Sequence, residues 1–310
     1  DEALHHQQNV AGADQCIWQH RSDRRVLFRS ITYHTMPFPV ACYPKADTTL
    51  QSTGFVGVLD NYTAGITVCW DIKRRLLSTY NGKAGIVRAN RIGQPTYEIE
   101  YMANGEWDLA GLQSFAGTDT TYLVSPYSQL TGLPVFAQSN AVNQPIISDA
   151  GVVHTDGALF GTRVDETYLT AGNLNALDVF GSQQAQIYFR VNSGSNAANV
   201  GRLFSHNSLL CYIPFQVLGN VYFDFPDRIN TATPAGLTDH LRDISLEREP
   251  SVSRIRMDGT TQVSGSVSTS IASASGDLYV GRGLVGNISS CVIWNTCDAT
   301  TAAARNAALA

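Results

Sequence analysis

Three tyrosines, one arginine and one aspartate carry the most pointed chemistry in the sequence. In 185–191, Ile187, Phe189 and Val191 alternate with Gln186, Tyr188 and Arg190. In 208–216, Leu209, Cys211, Ile213 and Phe215 alternate with Tyr212 and Gln216. In 220–225, Val221, Phe223 and Phe225 alternate with Asn220, Tyr222 and Asp224. Successive side chains of a strand point to opposite faces, so each run is a strand with one apolar and one polar face. Flat aromatic rings suit the C–H surfaces of sugars, and planar polar groups suit their hydroxyls. Tyr188, Arg190, Tyr212, Tyr222 and Asp224 are therefore the candidate carbohydrate-binding residues, expected on one sheet face with Arg254 and Arg256 at its border. The plainer alternative is a face covered by another sheet, a helix or a subunit.

No catalytic, metal or cofactor residue is assigned. Glycoside hydrolysis needs two carboxyl groups about 5–10 Å apart. Glu98 and Glu100 share a strand face, which reads as a solvated face. Asp224 and Asp227 bracket Phe225-Pro226 and read as a turn with side-chain-to-backbone hydrogen bonds, an acid pair or calcium site being the alternative. His154 and Asp156 share a strand face, but no Gly-x-Ser-x-Gly elbow accompanies them, and a structural hydrogen bond is the expected role. His206 and His240 lack a metal-selecting spacing. The six cysteines include no C-x-x-C; Cys291 and Cys297 would either pair at a strand end or stay as buried thiols.

These side chains need a β framework to position them. Asp277 to Arg282 and Asn287 to Asn295 alternate with period two, and glycines punctuate the bend between them. Ser253 to Asp258 alternates before Asp258-Gly259, a hairpin dipeptide. Further strands are expected near 85–89, 96–102, 120–124, 143–147, 152–160 and 202–204. Two helices are expected. Ile66, Cys69, Ile72, Leu76 and Tyr80 recur at steps of three and four over 64–80, and Asp108 caps Leu109 to Phe115, with Gly117 just past its end. Strands of this number with one apolar face need a second sheet, which makes the fold class all-β, an antiparallel sandwich. Charged residues are only 15% of the chain and the net charge is −5, which argues against a nucleic-acid footprint. No apolar run is long enough for a membrane span.

The Phe204-Ser205 strand, the Arg256-Met257-Asp258-Gly259 hairpin and the Leu278-Tyr279-Val280-Gly281-Arg282-Gly283 strand resemble concanavalin A-like and laminin-G-like jelly rolls. The stretch 65–150 resembles the catalytic family of α-L-arabinofuranosidases and related modules of phage and bacterial surface proteins. It does so through Ile72-Lys73-Arg74-Arg75-Leu76, Ile86-Val87-Arg88-Ala89, Asn104-Gly105-Glu106-Trp107-Asp108-Leu109, Phe115-Ala116-Gly117 and Asn143-Gln144-Pro145. Where that family carries Trp-Tyr-Asp-Gln-Ser-Gly, this chain has Pro126 to Thr131, keeping Tyr127 and Gln129 but replacing the acid with Ser128. The resemblance implies a concanavalin A-like jelly roll over 60–298 with a few short helices. Before it stands an arm, 1–59, and after it a frayed helical tail, 299–310. Arg24 to Ser30 matches the translation of a common sequencing adapter, so residues 1–30 are given no functional weight. The function it implies is non-catalytic recognition at a virion surface or outside the cell. The partners would be host glycan or neighbouring virion subunits, with a homo-oligomer allowed. A hydrolase of arabinofuranosidase type and a secreted bacterial carbohydrate-binding module are the alternatives.

Overall fold

The computed structural model describes residues 55–89, 95–161, 167–193, 201–215, 220–232 and 241–310, with only the backbone of 214 and 215. Most of the expected N-terminal arm, with Arg24 to Ser30, lies outside the described residues. The strands, in chain order, are β1 Ile66–Asp71, β2 Gly85–Ala89, β3 Thr96–Ile99, β4 Thr121–Pro126, β5 Ile146–Asp149, β6 Val152–Val153, β7 Ala158–Phe160, β8 Leu169–Asn175, β9 Ala185–Ser193, β10 Arg202–His206, β11 Leu209–Phe215, β12 Asn220–Asp224, β13 Arg228–Ala232, β14 Arg242–Arg248, β15 Val252–Met257, β16 Thr260–Ser266, β17 Ser275–Val280 and β18 Gly286–Trp294. Among the described residues, the short helices α1 Leu109–Ala116 and α2 Ala176–Phe180 lie between strands, and α3 Ala299–Leu309 follows the last one.

Two antiparallel sheets form an all-β sandwich, as the alternation predicts. The larger runs β16-β15-β14-β9-β18-β7-β5-β4-β2-β3, with β1 joined to β18 and β6 to β5. The smaller runs β13-β12-β11-β10-β17-β8. Ile187, Phe189 and Val191 of the large sheet share one core with Cys211, Val221, Phe223, Leu278 and Val280 of the small one. At its centre Phe189 stacks on Phe204 with centroids 6.4 Å apart, and Phe204 meets Phe225 edge-on at 6.2 Å. Gly281 has φ +78°, and a Cβ there would lie 2.2 Å from the Phe160 ring, so only glycine fits between β17 and the core.

β18 is the organising strand. One edge pairs with β9, and the other pairs first with β7 at 286–288 and then with β1 at 290–294. Ile288, Cys291 and Ile293 enter the main core. Val292 and Trp294 enter a second core on the outer side of the large sheet, with Leu59, Ile66, Cys69, Leu76, Leu77, Tyr188 and Leu309. The chain is packed against this sheet by residue 59, since Leu59 N–H donates to the Leu76 carbonyl at 2.9 Å.

Several expectations are corrected. The segment 64–80 is strand β1 followed by turns, with no helix. Its apolar residues serve two cores at once: Val68, Trp70 and Ile72 face one, and Ile66, Cys69, Leu76 and Leu77 face the other. A strand buried on both faces and a loop folded back over it reproduce steps of three and four. Residues 141–143 form a single helical turn before β5, and 152–160 divides into β6 and β7. The 299–310 segment is helical but not frayed. Asp298 caps it, and Arg305, Asn306 and Leu309 are buried against the large sheet. Cys69, Cys211, Cys291 and Cys297 are free buried thiols, so no disulfide joins Cys291 to Cys297.

Two outcomes follow. Phe204→Ala removes the ring at the crossing of both sheets and is expected to cost about 3–5 kcal/mol in urea denaturation. Burial raises the pKa of the four described thiols. Alkylation of native protein at mildly alkaline pH, read by peptide mass mapping, is expected to spare all four until urea is added.

Candidate functional site

The five candidate residues do not share one face, because β9 belongs to the large sheet and β11 and β12 to the small one. Their apolar sides meet in the core, so their polar sides point away from each other. Alternation within a strand defines its two faces but not the sheet it joins.

On the large sheet, Tyr188 is fully buried beneath α3. Its hydroxyl donates to Asp243 Oδ1 at 2.5 Å and lies 3.5 Å from the Leu309 carbonyl. The polar groups around it are engaged with α3. Gln186 Nε2 donates to Asn306 Oδ1 at 2.9 Å, Asn306 Nδ2 to Glu247 Oε1 at 3.0 Å, and Arg305 Nη1 to the Thr296 carbonyl at 2.8 Å. Arg256 Nε donates to Glu247 Oε1 at 2.7 Å, and Arg254 pairs with Glu249. Arg254 and Arg256 thus border the α3 contact rather than an open face. Arg190 reaches past the end of this network, with its Nε 3.7 Å from Asp243.

On the small sheet, Asn230, Tyr222, Tyr212 and Arg202 stand opposite one another across β13, β12, β11 and β10. The Arg202 guanidinium lies 5.9 Å from the Tyr212 ring centroid, and that of Arg228 lies 5.3 Å from Tyr222. Asp224 accepts from Arg228 Nε and Nη2, both at 2.6 Å, a two-pronged charge-assisted contact. It fixes Arg228, 60% exposed, above Tyr222, which is itself 9% exposed. Tyr212 and the two arginines are the surface groups, and Tyr222 supports them from below. On the same face, Tyr279 stands opposite Ser205 and Thr170. Tyr279 packs edge-on to Tyr168 at 5.3 Å, with the Arg282 guanidinium 5.1 Å from its centroid. Arg202, Arg228, Tyr168 and Arg282 were not among the sequence candidates, since cross-strand register decides their position. Tyr279 was within reach, because Leu278 and Val280 point inward on either side of it.

Glu98, Glu100, Asp156, Asp227 and His206 have structural partners, while, among the described residues, His154 Nε2 is buried without a hydrogen bond. Lys83 bridges Glu98 at 2.9 Å and Glu100 at 2.8 Å on a solvated face, and this pulls the Glu98 pKa below its ordinary value. Asp227 accepts from the Ser268 and Thr269 backbone N–H groups at 2.9 and 3.0 Å and from the Thr269 hydroxyl at 2.9 Å. These bonds hold its carboxyl below the ordinary range, the reverse of what a general acid needs. Asp156 accepts from Asn192 Nδ2 at 3.1 Å, where His154 was the expected partner. His206 Nε2 lies 2.9 Å from the Leu174 carbonyl and its ring packs on Phe180. His240 lies outside the described residues.

Gln129 is a structural plug. Its Oε1 accepts from Leu76 N–H at 2.6 Å, and its Nε2 donates to the Arg74 carbonyl at 2.9 Å, tying down the loop after β1. Ser128 Oγ donates to the Leu130 carbonyl at 3.0 Å. Among the described residues, no group of three or more His, Cys, Asp or Glu side chains is arranged to hold a metal ion.

No protein-family model matches the chain, and no curated protein matches it in sequence. Solved structures do resemble it. A mutant of the GH54 α-L-arabinofuranosidase soaked with 4-nitrophenyl α-L-arabinofuranoside is 13% identical, with a TM-score of 0.58 over 82% of this chain and 65% of that one. An arabinofuranosidase complexed with arabinofuranosyl-alpha-1,2-xylobiose is 12% identical, with a TM-score of 0.59 over 82% of this chain and 64% of the enzyme. The chain thus spans somewhat less than two thirds of these enzymes, and the likeness is one of fold.

The depressed Asp227 carboxyl has a consequence for stability. A carboxylate whose folded pKa lies below its unfolded value stabilises the fold above the unfolded pKa, and that contribution is lost as pH falls through the folded pKa. Asp227→Asn is expected to cost about 1 kcal/mol in urea denaturation near neutral pH. The gap between mutant and wild type should close in strong acid; an equal gap at both pH values contradicts the assignment.

Proposed function

We propose that this chain is a non-catalytic carbohydrate-recognition module whose glycan lies on the outer face of the six-stranded sheet. One observation carries the reading: Tyr212 and Tyr222 stand side by side across β11 and β12, with Arg202 and Arg228 poised over their rings. Such a surface offers a ring for sugar C–H groups and fixed guanidinium donors for hydroxyls. Asp224 positions Arg228 rather than acting on a substrate. The fold it shares with arabinofuranosidases supports a sugar ligand, and the engagement of Glu98, Glu100, Asp224 and Asp227 in ion pairs and caps supports binding without cleavage. The extracellular setting, on a virion or as a secreted module, follows from the sequence resemblance alone. The proposal concerns the recognition face in either setting.

A glycan array with the full chain, run beside an assay for released reducing sugar, tests this. The expected result is binding without release, weakened about tenfold by Tyr212→Ala or Arg228→Ala. Release of sugar that a carboxylate substitution abolishes would move the chain to the hydrolases, and absence of binding to any glycan would remove the reading.

A further inference from the structure

A cleft of about 190 Å³ opens on the other side of the molecule, lined by Asp71, Lys73, Arg74, Glu106, Arg190 and Ser289. The loop after β1 forms one wall, and the outer face of β9 and β18 forms the floor. Ser289 sits at an irregularity in the β18–β9 register, between Ile288 and Ser290. Bulges of this kind re-aim a side chain out of the regular alternation. The Ser289 carbonyl accepts from Ile72 N–H at 2.9 Å, which ties floor to wall.

Hydrogen-bond donors are in excess here. Among the described residues, the Ser289 hydroxyl is buried with no hydrogen-bond partner, and so is Arg190 Nε, whose nearest anion is Asp243 at 3.7 Å. The Lys73 ammonium is absent from every ion pair within 4.0 Å among those residues. The acids nearby already accept from other groups. Asp71 takes Lys73 N–H at 2.8 Å, Arg74 N–H at 3.0 Å and Arg74 Nε at 3.0 Å. Asp243 takes the Tyr188 hydroxyl and Asp156 takes Asn192. Glu106 stands exposed at the rim. Of the lining residues, three are cationic and two anionic. Burial lowers the Lys73 pKa, and the nearby Arg190 adds to that shift while the Asp71, Asp156 and Glu106 carboxylates oppose it only in part.

We propose that this cleft binds an oxyanion, a carboxylate or sulfate group, held between Lys73, Arg190 and the Ser289 hydroxyl. The anion would come either free from solution or on an acidic sugar, since the two share the chemistry that these donors recognise. The site is separate from the tyrosine face, and neither proposal depends on the other.

Calorimetric titration of the full chain with sodium sulfate, sodium galacturonate and galactose, in constant chloride, tests the proposal. Sulfate or galacturonate should bind with one-to-one stoichiometry while galactose does not. Lys73→Met should weaken binding about tenfold, as should Arg190→Gln. Ser289→Ala, which leaves the charges intact, should weaken it less, and Lys83→Met, at a cation outside the cleft, should leave it unchanged. Sulfate binding with galacturonate silent supports the site with a free anion as its source, and galacturonate binding supports it with an acidic sugar. No heat from either anion overturns the proposal. So does binding that survives Lys73→Met in a protein whose far-ultraviolet spectrum is unchanged, or galactose binding as strongly as galacturonate.

Discussion

The structure depends on one strand that is buried on both faces. β18 needs hydrogen-bond partners along both edges and cover on both sides. Its inner residues Ile288, Cys291 and Ile293 are covered by the small sheet across the main core. Its outer residues Val292 and Trp294 lie outside the sandwich interior, beside Ile66, Cys69 and Tyr188 of the neighbouring strands, and the loop after β1, the 59–62 turn and α3 fold over them. Trp294 Nε1 donates to the Tyr62 carbonyl at 2.8 Å, which satisfies the one polar atom of that ring in the second core. Apolar burial drives this closure, and buried polar groups beside it must then be paired or leave a penalty of roughly 1–3 kcal/mol each.

That constraint determines which surface is left for recognition. The outer face of the large sheet carries Gln186, Tyr188, Ser245 and Glu247, groups that would suit a polar ligand. They are instead engaged with one another, with Asp243 and with Arg305, Asn306 and the Leu309 carbonyl of α3. The helix is rich in alanine, so it approaches closely, and its few polar side chains do the pairing. Among the described residues, the outer side of the small sheet is covered less completely. Tyr212, Tyr279, Arg202 and Arg228 remain partly exposed there, held in place by cross-strand register and by the Asp224 carboxylate.

Much of this was legible in the sequence, for a physical reason in each case. In 209–213 and 253–257 one face is buried more deeply than the other, and in 185–191 the second buried face carries polar Gln186 and Tyr188, so period-two alternation of residue type survives and these strands were read correctly. The same holds for the cap at Asp108, whose carboxylate accepts from Gly111 N–H at 2.9 Å. The 64–80 segment was misread because burial on both faces erases that alternation. The split of the candidate residues was hidden for a different reason. Which sheet a strand joins depends on pairings between residues far apart in the chain, such as β9 with β14 and β18, and local pattern does not encode them. The Arg202–Tyr212 contact passes through a register shift in β10, which alternation alone would have placed wrongly. The role of α3 rests on two buried polar side chains, Arg305 and Asn306, in a segment whose composition resembles a solvated tail.

The central claim is that α3 closes the large sheet's outer face over Gln186 and Tyr188, while the outer face of the small sheet is the surface for a neutral glycan. Hydroxyl-radical footprinting with and without a bound neutral glycan measures this directly, because it reports the solvent access of individual tyrosine rings. The account predicts that Tyr212, Tyr279 and Tyr168 become protected, while Tyr188 is protected in both states and the 299–309 segment is unchanged. Protection appearing on the 72–80 loop and α3, with Tyr212 and Tyr279 unaffected, would contradict it.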